Sequence, residues 1–198
     1  GMASACAAQG CVLIGGETSV QPGVVVDGLF VVSATVVGVA DRDSIIDGSA
    51  IAEGDVLVGV ASNGLHTNGY TLVRRLIDEQ PDLRERNTDG EPFLDVIMRP
   101  HTAYYPAIKQ HFADPGLHGM AHITGGGIHD NLIRILPGHL EAHVELDKLR
   151  VPTVFRTIRE AGSVPDVDML RTFNLGTGLV CVCDPGVAQD LIADIEES

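Results

Sequence analysis

The chain has 198 residues, of which 44% are hydrophobic and 20% are charged, so its composition is that of a globular protein and not of a disordered one. Its 13 Lys and Arg residues against 27 Asp and Glu residues give a formal net charge of −14. This acidity disfavours a nucleic-acid partner, since few cations could neutralise phosphates. No apolar run approaches the ~20 residues of a membrane-spanning helix, so we expect no membrane partner either.

The N-terminal quarter is predicted to be rich in β-structure. Residues 3–9 are typical of the last turns of a helix, and residues 12–14 form a short apolar strand. The apolar runs 24–26 and 29–39, joined by Asp27-Gly28, predict a β-hairpin with a type I′ turn. This stretch is too small to make its own core, so we expect residues 1–47 to be the tail of a domain truncated upstream. The free edge of the hairpin favours self-association.

From residue 48 onward, strands are predicted to alternate with helices, which indicates the α/β or α+β class. A buried strand at 55–61 runs into the loop SNGLHTNG (62–69) and then a helix at 70–79. A second strand at 120–124 runs into Gly125-Gly126-Gly127 and a helix at 128–136. The other predicted elements are a polar loop at 81–92, helices at 102–112 and 152–161 and from Pro185, and strands at 140–146 and 179–182.

The two strand–loop–helix segments are candidate phosphate-binding sites. Glycine lets the backbone approach a ligand closely, and the N–H groups at the start of the following helix favour an anion. Neither loop is a P-loop or a GxGxxG motif, so a pair of tight structural turns is the alternative. The polar residues of the loops and of the following helices are Ser62, Asn63, His66, Thr67 and Asn68 in the first segment, and His122, Thr124, Asp130 and Asn131 in the second.

Two further segments carry weaker signals. Gly15-Gly16-Glu17-Thr18 follows a predicted strand, and a carboxylate beside glycines could hold Mg²⁺ for a nucleotide. A glutamate that caps a helix or closes a turn is the alternative. The segment RTFNLGTG (171–178) places polar groups and two glycines just before a buried strand.

Histidines and cysteines form no recognisable metal motif in the sequence. His139-x-Glu141-x-His143 differs from HExxH, and we expect it to face solvent, which disfavours a metalloenzyme. Cys181 and Cys183 should share one face of an apolar strand as buried, reduced thiols. The N-terminus lacks the basic segment of a signal peptide, and we expect a cytoplasmic protein.

Four segments follow one another in a characteristic order: GCVLIGGET, DVLVGVASNGLHTNGYTLVR, HITGGGIHDNLIRILP and RTFNLGTG. Together they closely resemble the aminoimidazole ribonucleotide synthetase (phosphoribosylformylglycinamidine cyclo-ligase) family over nearly the whole chain. The resemblance implies that residues 48–198 form the layered mixed sheet with helices of that family's C-terminal domain, its final strand apparently missing. Residues 1–47 would be the β-rich tail of the ATP-binding domain.

The resemblance also implies an activity. It is the ATP-dependent closure of formylglycinamidine ribonucleotide to aminoimidazole ribonucleotide in de novo purine biosynthesis, with ATP and Mg²⁺ as cofactors, carried out by a homodimer. A fragment of this length is not expected to turn over alone. By analogy, Glu17 would hold Mg²⁺ and, with Gly15, Gly16 and Thr18, the nucleotide, while His66 and His122 would transfer protons or stabilise developing charge. The implied contacts to the phosphorylated substrate are Ser62, Asn63, Gly64, Thr67, Asn68, Gly125, Gly126, Gly127, Thr172 and Asn174.

Two positions depart from the family's usual pattern. Val20 stands where a carboxylate is usual before Pro22-Gly23, and His101-Thr102 stands where Thr-Arg is common after Pro100. Two alternatives therefore stay open. One is another member of the ATP-dependent superfamily, such as a protein like selenophosphate synthetase or formylglycinamidine ribonucleotide synthetase. The other is a non-catalytic module that binds a phosphate-bearing ligand.

Overall fold

The chain falls into two units, Gly1–Ile45 and Ile46–Ser198, in a computed structural model that describes residues 1–197. The first unit contains helix α1 (Met2–Ala8) and a short 3₁₀ turn at Arg42–Ser44.

The hairpin predicted in the first unit is wrong: its described residues contain no strand. A turn does form at Asp27-Gly28, where the Leu29 N–H donates to the Val26 carbonyl at 3.0 Å. Only Gly28 has a positive φ there (82°), whereas a type I′ turn requires positive φ at both central residues. A strand exists only where its backbone groups pair with a neighbour, and residues 29–39 make no such pairs in this unit.

The second unit is built on a three-stranded sheet with the order β1–β5–β4. The strands are β1 (Val56–Ala61), β4 (Leu117–His122) and the central β5 (Thr177–Cys183). Both outer strands run antiparallel to β5, so β1 and β4 are parallel to each other and their carboxyl ends lie at the same edge of the sheet. A small separate hairpin is formed by β2 (Asn87–Thr88) and β3 (Glu91–Pro92).

Strand β5 is buried along its whole length because helices and loops cover both faces of the sheet. Leu179, Cys181 and Cys183 pack into one apolar cluster, while Val180 and Val182 pack into another on the opposite face. The prediction that the two cysteines share a buried face as free thiols is confirmed.

The longer helices lie close to where the sequence predicts them. They are α2 (Tyr70–Glu79), α6 (Thr153–Gly162) and α8 (Pro185–Glu197). The six-residue α5 (Gly127–Leu132) is shorter than the helix predicted at 128–136. Asp184 caps α8, since its Oδ1 accepts the Gly186 N–H at 2.7 Å. The shorter helices are α3 (Phe93–Ile97), α4 (Tyr105–Ile108) and α7 (Asp166–Thr172), with 3₁₀ turns at Pro81–Glu85, Lys109–His111 and Leu146–Lys148. Within the described residues no helix is long and apolar enough to cross a membrane.

A third apolar cluster joins α2, α3, α6 and α7 beside the sheet and fixes the segment that leads into β5. The rings of Phe155 and Phe173 meet edge to face, with centroids 5.6 Å apart. Gly69 lies directly against Phe173, because a Cβ there would come within 2.7 Å of Cζ of that ring. The end of the loop after β1 is thereby held against the segment 171–178.

The strand predicted at 140–146 is not formed, although its alternating pattern is real. Leu140, Ala142 and Val144 are half-buried against the cluster around Val180, while Glu141 and His143 are exposed. The segment packs on the face of the sheet and not at its edge, so it has no strand beside it with which to form a ladder.

Candidate functional site

The two polar loops predicted from the sequence meet at one edge of the sheet. The loop after β1 bonds to the segment before β5, where the Ser62 N–H donates to the Gly176 carbonyl at 2.8 Å. The loop after β4 bonds to the start of β5, where the Ile123 N–H donates to the Gly178 carbonyl at 2.8 Å. Because β1 and β4 are parallel and flank β5, all three segments converge there.

Ser62 and Asn174 form a buried link between the first loop and the segment before β5. The Ser62 hydroxyl lies 2.9 Å from Asn174 Oδ1 and 3.1 Å from the Gly64 carbonyl. Asn174 Nδ2 donates to that same carbonyl at 2.9 Å, and Asn174 Oδ1 accepts the Gly176 N–H at 2.9 Å. The polar atoms of these two side chains are hydrogen-bonded within the protein. In this geometry the two side chains therefore position the loop.

The other predicted residues of the first loop are more accessible. Asn63 and Thr67 are exposed, and Asn63 Nδ2 donates to the Pro100 carbonyl at 2.8 Å. Asn68 is half-buried, and its Oδ1 lies 3.6 Å from the place of a Cβ at Gly125. The structure therefore brings Asn68 to the glycine loop after β4.

The glycine loop uses part of its hydrogen-bonding capacity within the fold. The Gly126 N–H donates to the Arg171 carbonyl at 2.8 Å, and the Gly127 N–H donates to the Thr124 carbonyl at 3.1 Å. The Asp130 carboxylate lies over Gly126, where a Cβ would be 2.8 Å from its Oδ2. A phosphate at this loop must replace these bonds or bind through the remaining glycine, so the predicted cradle stays a prediction.

The side chains of Asn131, a polar residue of the second predicted segment, and of Arg134, which was not predicted, stabilise the glycine loop. Asn131 Nδ2 donates to the Gly127 carbonyl at 2.7 Å, and its Oδ1 accepts from the Thr124 hydroxyl at 3.1 Å. Arg134 Nη1 also donates to Asn131 Oδ1 at 3.1 Å, which places an exposed cation beside the loop. The i, i+3 spacing of Asn131 and Arg134 could have indicated this shared face.

Three histidines form the centre of the site. His66 comes from the loop after β1, His122 is the last residue of β4, and His101 lies in the segment before α4. The His66 and His101 rings stack with centroids 3.8 Å apart, and His101 Nε2 lies 3.2 Å from His122 Nε2. His66 and His122 were predicted as catalytic, whereas His101 was noted only as a departure from the family pattern.

The conformation of His66 is unusual and is held by its neighbours. Its φ is +57°, a region that costs a non-glycine residue free energy and is often found at functional sites. Tyr104 meets the His66 ring edge to face, with centroids 6.0 Å apart, and its hydroxyl donates to the Ala61 carbonyl at 3.1 Å. Gly178 borders the same ring.

His66 and His122 are neutral near pH 7. Burial, and then the nearby His101 and His122, lower the pKa of His66 to about 4. Burial, and then His101, lowers the pKa of His122. Burial raises the pKa of Tyr104 to about 12. Neutral imidazoles keep a lone pair that can accept a proton or bind a metal ion.

Comparison with known proteins identifies the family. Residues 52–198 match the family described as AIR synthase related protein, C-terminal domain. The chain belongs to this family. The resemblance noted in the sequence and the predicted fold class are thereby confirmed for the AIR synthase C-terminal domain.

Curated relatives carry the same name across different bacteria. Over 193 residues the chain is 46% identical to the phosphoribosylformylglycinamidine cyclo-ligase of Methylobacillus flagellatus, which covers 98% of this chain and 55% of the relative. Identity is 41% over 203 residues with the enzyme of that name from Sorangium cellulosum (100% and 58%), and 39% over 201 residues with that from Bordetella pertussis (100% and 57%). The chain thus spans a little over half the length of these relatives.

Two sets of predicted residues lie outside the histidine centre of this AIR synthase C-terminal domain. Thr172 lines a groove with residues of the loop after β1 and of α2, among them Arg75. Glu17 and its neighbours Gly15, Gly16 and Thr18 are exposed residues of the first unit. Their roles in holding substrate, nucleotide and Mg²⁺ stay predictions.

Proposed function

We propose that this chain is part of an ATP-dependent cyclo-ligase that closes formylglycinamidine ribonucleotide to aminoimidazole ribonucleotide in purine biosynthesis. The supporting observation is the convergence of the loops 62–69 and 123–126 at the amino end of β5, in a chain 46% identical to a protein named for this reaction. Polar and glycine-rich loops are suited to a phosphate-bearing substrate in a protein with a net charge of −14.

The proposed reaction has two steps, phosphorylation of the substrate and closure of the ring. The formyl oxygen of the substrate attacks the γ-phosphorus of ATP, ADP leaves, and a phosphorylated imidate is formed. An amidine nitrogen then attacks the imidate carbon, phosphate departs with the former formyl oxygen, and the nitrogen loses a proton as the ring closes. The second step needs a group that accepts this proton.

We assign the proton-accepting role to the pair His66 and His122. The pKa of each is lowered by burial, so both rings are neutral near pH 7 and can act as bases. A neutral ring cannot stabilise an anion as an imidazolium, which makes proton transfer the better of the two predicted roles. Arg134, an exposed cation beside the glycine loop, is suited to a substrate phosphate.

The nucleotide and the metal ion of this reaction are proposed for the first unit. Glu17 offers a carboxylate, the oxygen ligand that Mg²⁺ prefers, and it stands beside Gly15 and Gly16. All three residues are exposed. We propose that this segment holds Mg²⁺-ATP, and that the protein works in the cytoplasm, where free thiols such as Cys181 and Cys183 persist.

We also propose that the partner of residues 29–39 is a second copy of the chain. Phe30, Val37 and Val39 are 88%, 85% and 99% exposed. A run of exposed apolar side chains of this length marks an interaction surface, and unpaired extended backbone is able to pair with its equivalent.

Substrate binding tests the proposed function directly. Thermal unfolding of the 198-residue chain is followed with formylglycinamidine ribonucleotide, with formylglycinamide ribonucleotide, and with ribose 5-phosphate. A ligand at 100 times its Kd stabilises a fold by about 2.7 kcal/mol. If formylglycinamidine ribonucleotide is the substrate, it should bind most tightly and raise the melting temperature more than the other two compounds. Asn68→Ala should weaken this shift, while Gln110→Ala, at an exposed position outside the loops, should not.

The other outcomes discriminate among the alternatives. Stronger protection by formylglycinamide ribonucleotide would favour a relative that resembles formylglycinamidine ribonucleotide synthetase. Equal shifts with all three compounds, ribose 5-phosphate included, would contradict recognition of the cyclo-ligase substrate.

A further inference from the structure

Ring nitrogens of three histidines lie close together in the site. His66, His101 and His122 each offer a ring nitrogen within 4.8 Å of the other two. Zn–N distances of about 2.0–2.1 Å place two ligand nitrogens of a tetrahedral site about 3.3–3.4 Å apart. The 3.2 Å between the Nε2 atoms of His101 and His122 is close to this separation.

His66 supplies a second and independent observation. His66 is only 6% exposed. Both nitrogens of its ring are buried and have no hydrogen-bond partner among residues 1–197. Buried polar groups are nearly always satisfied by protein, water or an ion. The His66 ring stacks on that of His101 with centroids 3.8 Å apart. It must therefore turn about its side-chain bonds for one of these nitrogens to reach an ion held by His101 and His122.

The hydrogen bond of His101 prepares that ring to bind an ion. Its Nδ1 lies 2.7 Å from the Thr102 carbonyl, which can only accept, so Nδ1 carries the proton. The lone pair is then on Nε2, which faces His122. A backbone carbonyl behind the distal nitrogen is the usual arrangement around a metal-bound histidine, because it fixes the tautomer and the direction of the ring.

We propose that His66, His101 and His122 bind one divalent transition-metal ion of the zinc type. Imidazole nitrogens suit Zn²⁺, Co²⁺ and Ni²⁺, whereas Mg²⁺ takes oxygen ligands, so this ion differs from the Mg²⁺ proposed for Glu17. Three protein ligands leave a fourth position for water or for an anionic oxygen of a ligand.

The site does not depend on the proposed ring closure. A bound ion occupies the lone pairs that His66 and His122 would need to accept protons, so the zinc-loaded chain would be unable to use them as bases. Binding of the ion is therefore measured without any assay of turnover.

Metal titration of the whole chain tests the proposal. The chain is freed of metal with a chelator, and Zn²⁺ binding is then measured by calorimetry, with Co²⁺ absorption reporting a tetrahedral site. His101→Gln and His122→Gln each change an exposed side chain, so the fold should persist, which circular dichroism verifies. Each should abolish one equivalent of Zn²⁺ or weaken it at least tenfold, and should remove the tetrahedral Co²⁺ bands. His139→Gln, another exposed histidine, should change neither.

Zinc binding by an exposed thiol must be separated from zinc binding by the histidines. Cys11 is exposed and can bind Zn²⁺ by itself, so the diagnostic quantity is the one equivalent lost in the two variants. Equal stoichiometry and affinity in the parent chain, His101→Gln and His122→Gln would overturn the proposal. A parent chain that shows no tetrahedral Co²⁺ spectrum would overturn it as well.

Discussion

Gly178 lies against the imidazole ring of His66: a Cβ atom at position 178 would stand 2.7 Å from Cε1 of that ring. The same Cβ would overlap the Tyr104 hydroxyl. The missing side chain near the start of β5 thus creates the space in which His66 and Tyr104 meet. Position 178 requires glycine because the side chains of His66 and Tyr104 approach its backbone closely.

Gly178→Ala should therefore destabilise the fold and displace His66. Overpacking of this kind costs about 1–3 kcal/mol of unfolding free energy, measured by urea denaturation. Gly138→Ala is the matched control, because a Cβ there meets no described atom within 4 Å, and its effect should stay below about 1 kcal/mol. Equal effects of the two substitutions would show that the space beside His66 is not restrictive.

Asn174→Ala should loosen the loop that carries His66. The change leaves the Gly176 N–H without its buried acceptor and removes one of the two donors to the Gly64 carbonyl, at a cost of about 1–3 kcal/mol. Asn63→Ala removes a single bond from an exposed side chain and should cost less than about 1 kcal/mol. Guanidinium unfolding of the two variants measures the difference, and a similar cost for both would rule out the linking role of Asn174.

Stability should depend on pH through His66. Its pKa is about 4 in the folded chain and about 6.5 when unfolded, so the unfolded chain binds more protons between these values. Unfolding free energy should therefore fall as the pH drops from about 6.5 to about 4, by up to about 3 kcal/mol from this residue. Asn tolerates a positive φ, so His66→Asn should remove this part of the slope.

The measurement is a urea titration at several pH values in the presence of a chelator. The difference between the two slopes reports the His66 imidazole together with its coupling to His101 and His122. Parallel stability curves for the parent chain and His66→Asn would contradict a lowered pKa.

The four cysteines should react in two classes. Burial raises the pKa of Cys181 to about 12 and also raises that of Cys183, so both stay protonated and inaccessible within β5. Cys11 is exposed and Cys6 half-buried. A thiol reagent at pH 8 should label Cys6 and Cys11 in the native chain, and the β5 pair only after denaturant is added. Labelling of Cys181 without denaturant would mean that β5 opens locally.

Association through residues 29–39 should be sensitive to charge. Phe30→Lys with Val37→Lys places two cations in the exposed apolar run and should shift the chain toward monomer in light scattering. Val151→Lys, an exposed apolar position of the second unit, should leave the mass unchanged. A parent chain that is monomeric at all concentrations would refute the proposed contact between copies.

Local patterns in the sequence predict the long elements of the second unit well. Val73, Leu76 and Ile77 recur at helical spacing, and the helix runs from Tyr70 to Glu79 as expected. The apolar run around Cys181 can only be a buried strand or helix, and its short length favours a strand. Helices α3 and α7 were not predicted, because five and seven residues give too few turns to establish a period.

Contacts between distant segments could not be predicted in the same way. Residues 29–39 have the composition of strands, yet a strand also requires a partner, which composition does not specify. The parallel arrangement of β1 and β4 brings His66 and His122 to one edge of the sheet, and His101 joins them from the segment before α4. Sequence spacing indicated two of the three rings, and the tertiary fold supplied the third.

The position of β5 in the chain has a consequence for folding during translation. Strands β1 and β4 end at residues 61 and 122, but the strand that pairs with both begins only at residue 177. While the ribosome is still translating the segments between them, neither outer strand has its neighbour and the loops share no common edge. The histidines therefore come together late in translation, and the long sequence separation of the paired strands makes that step slow compared with formation of the helices.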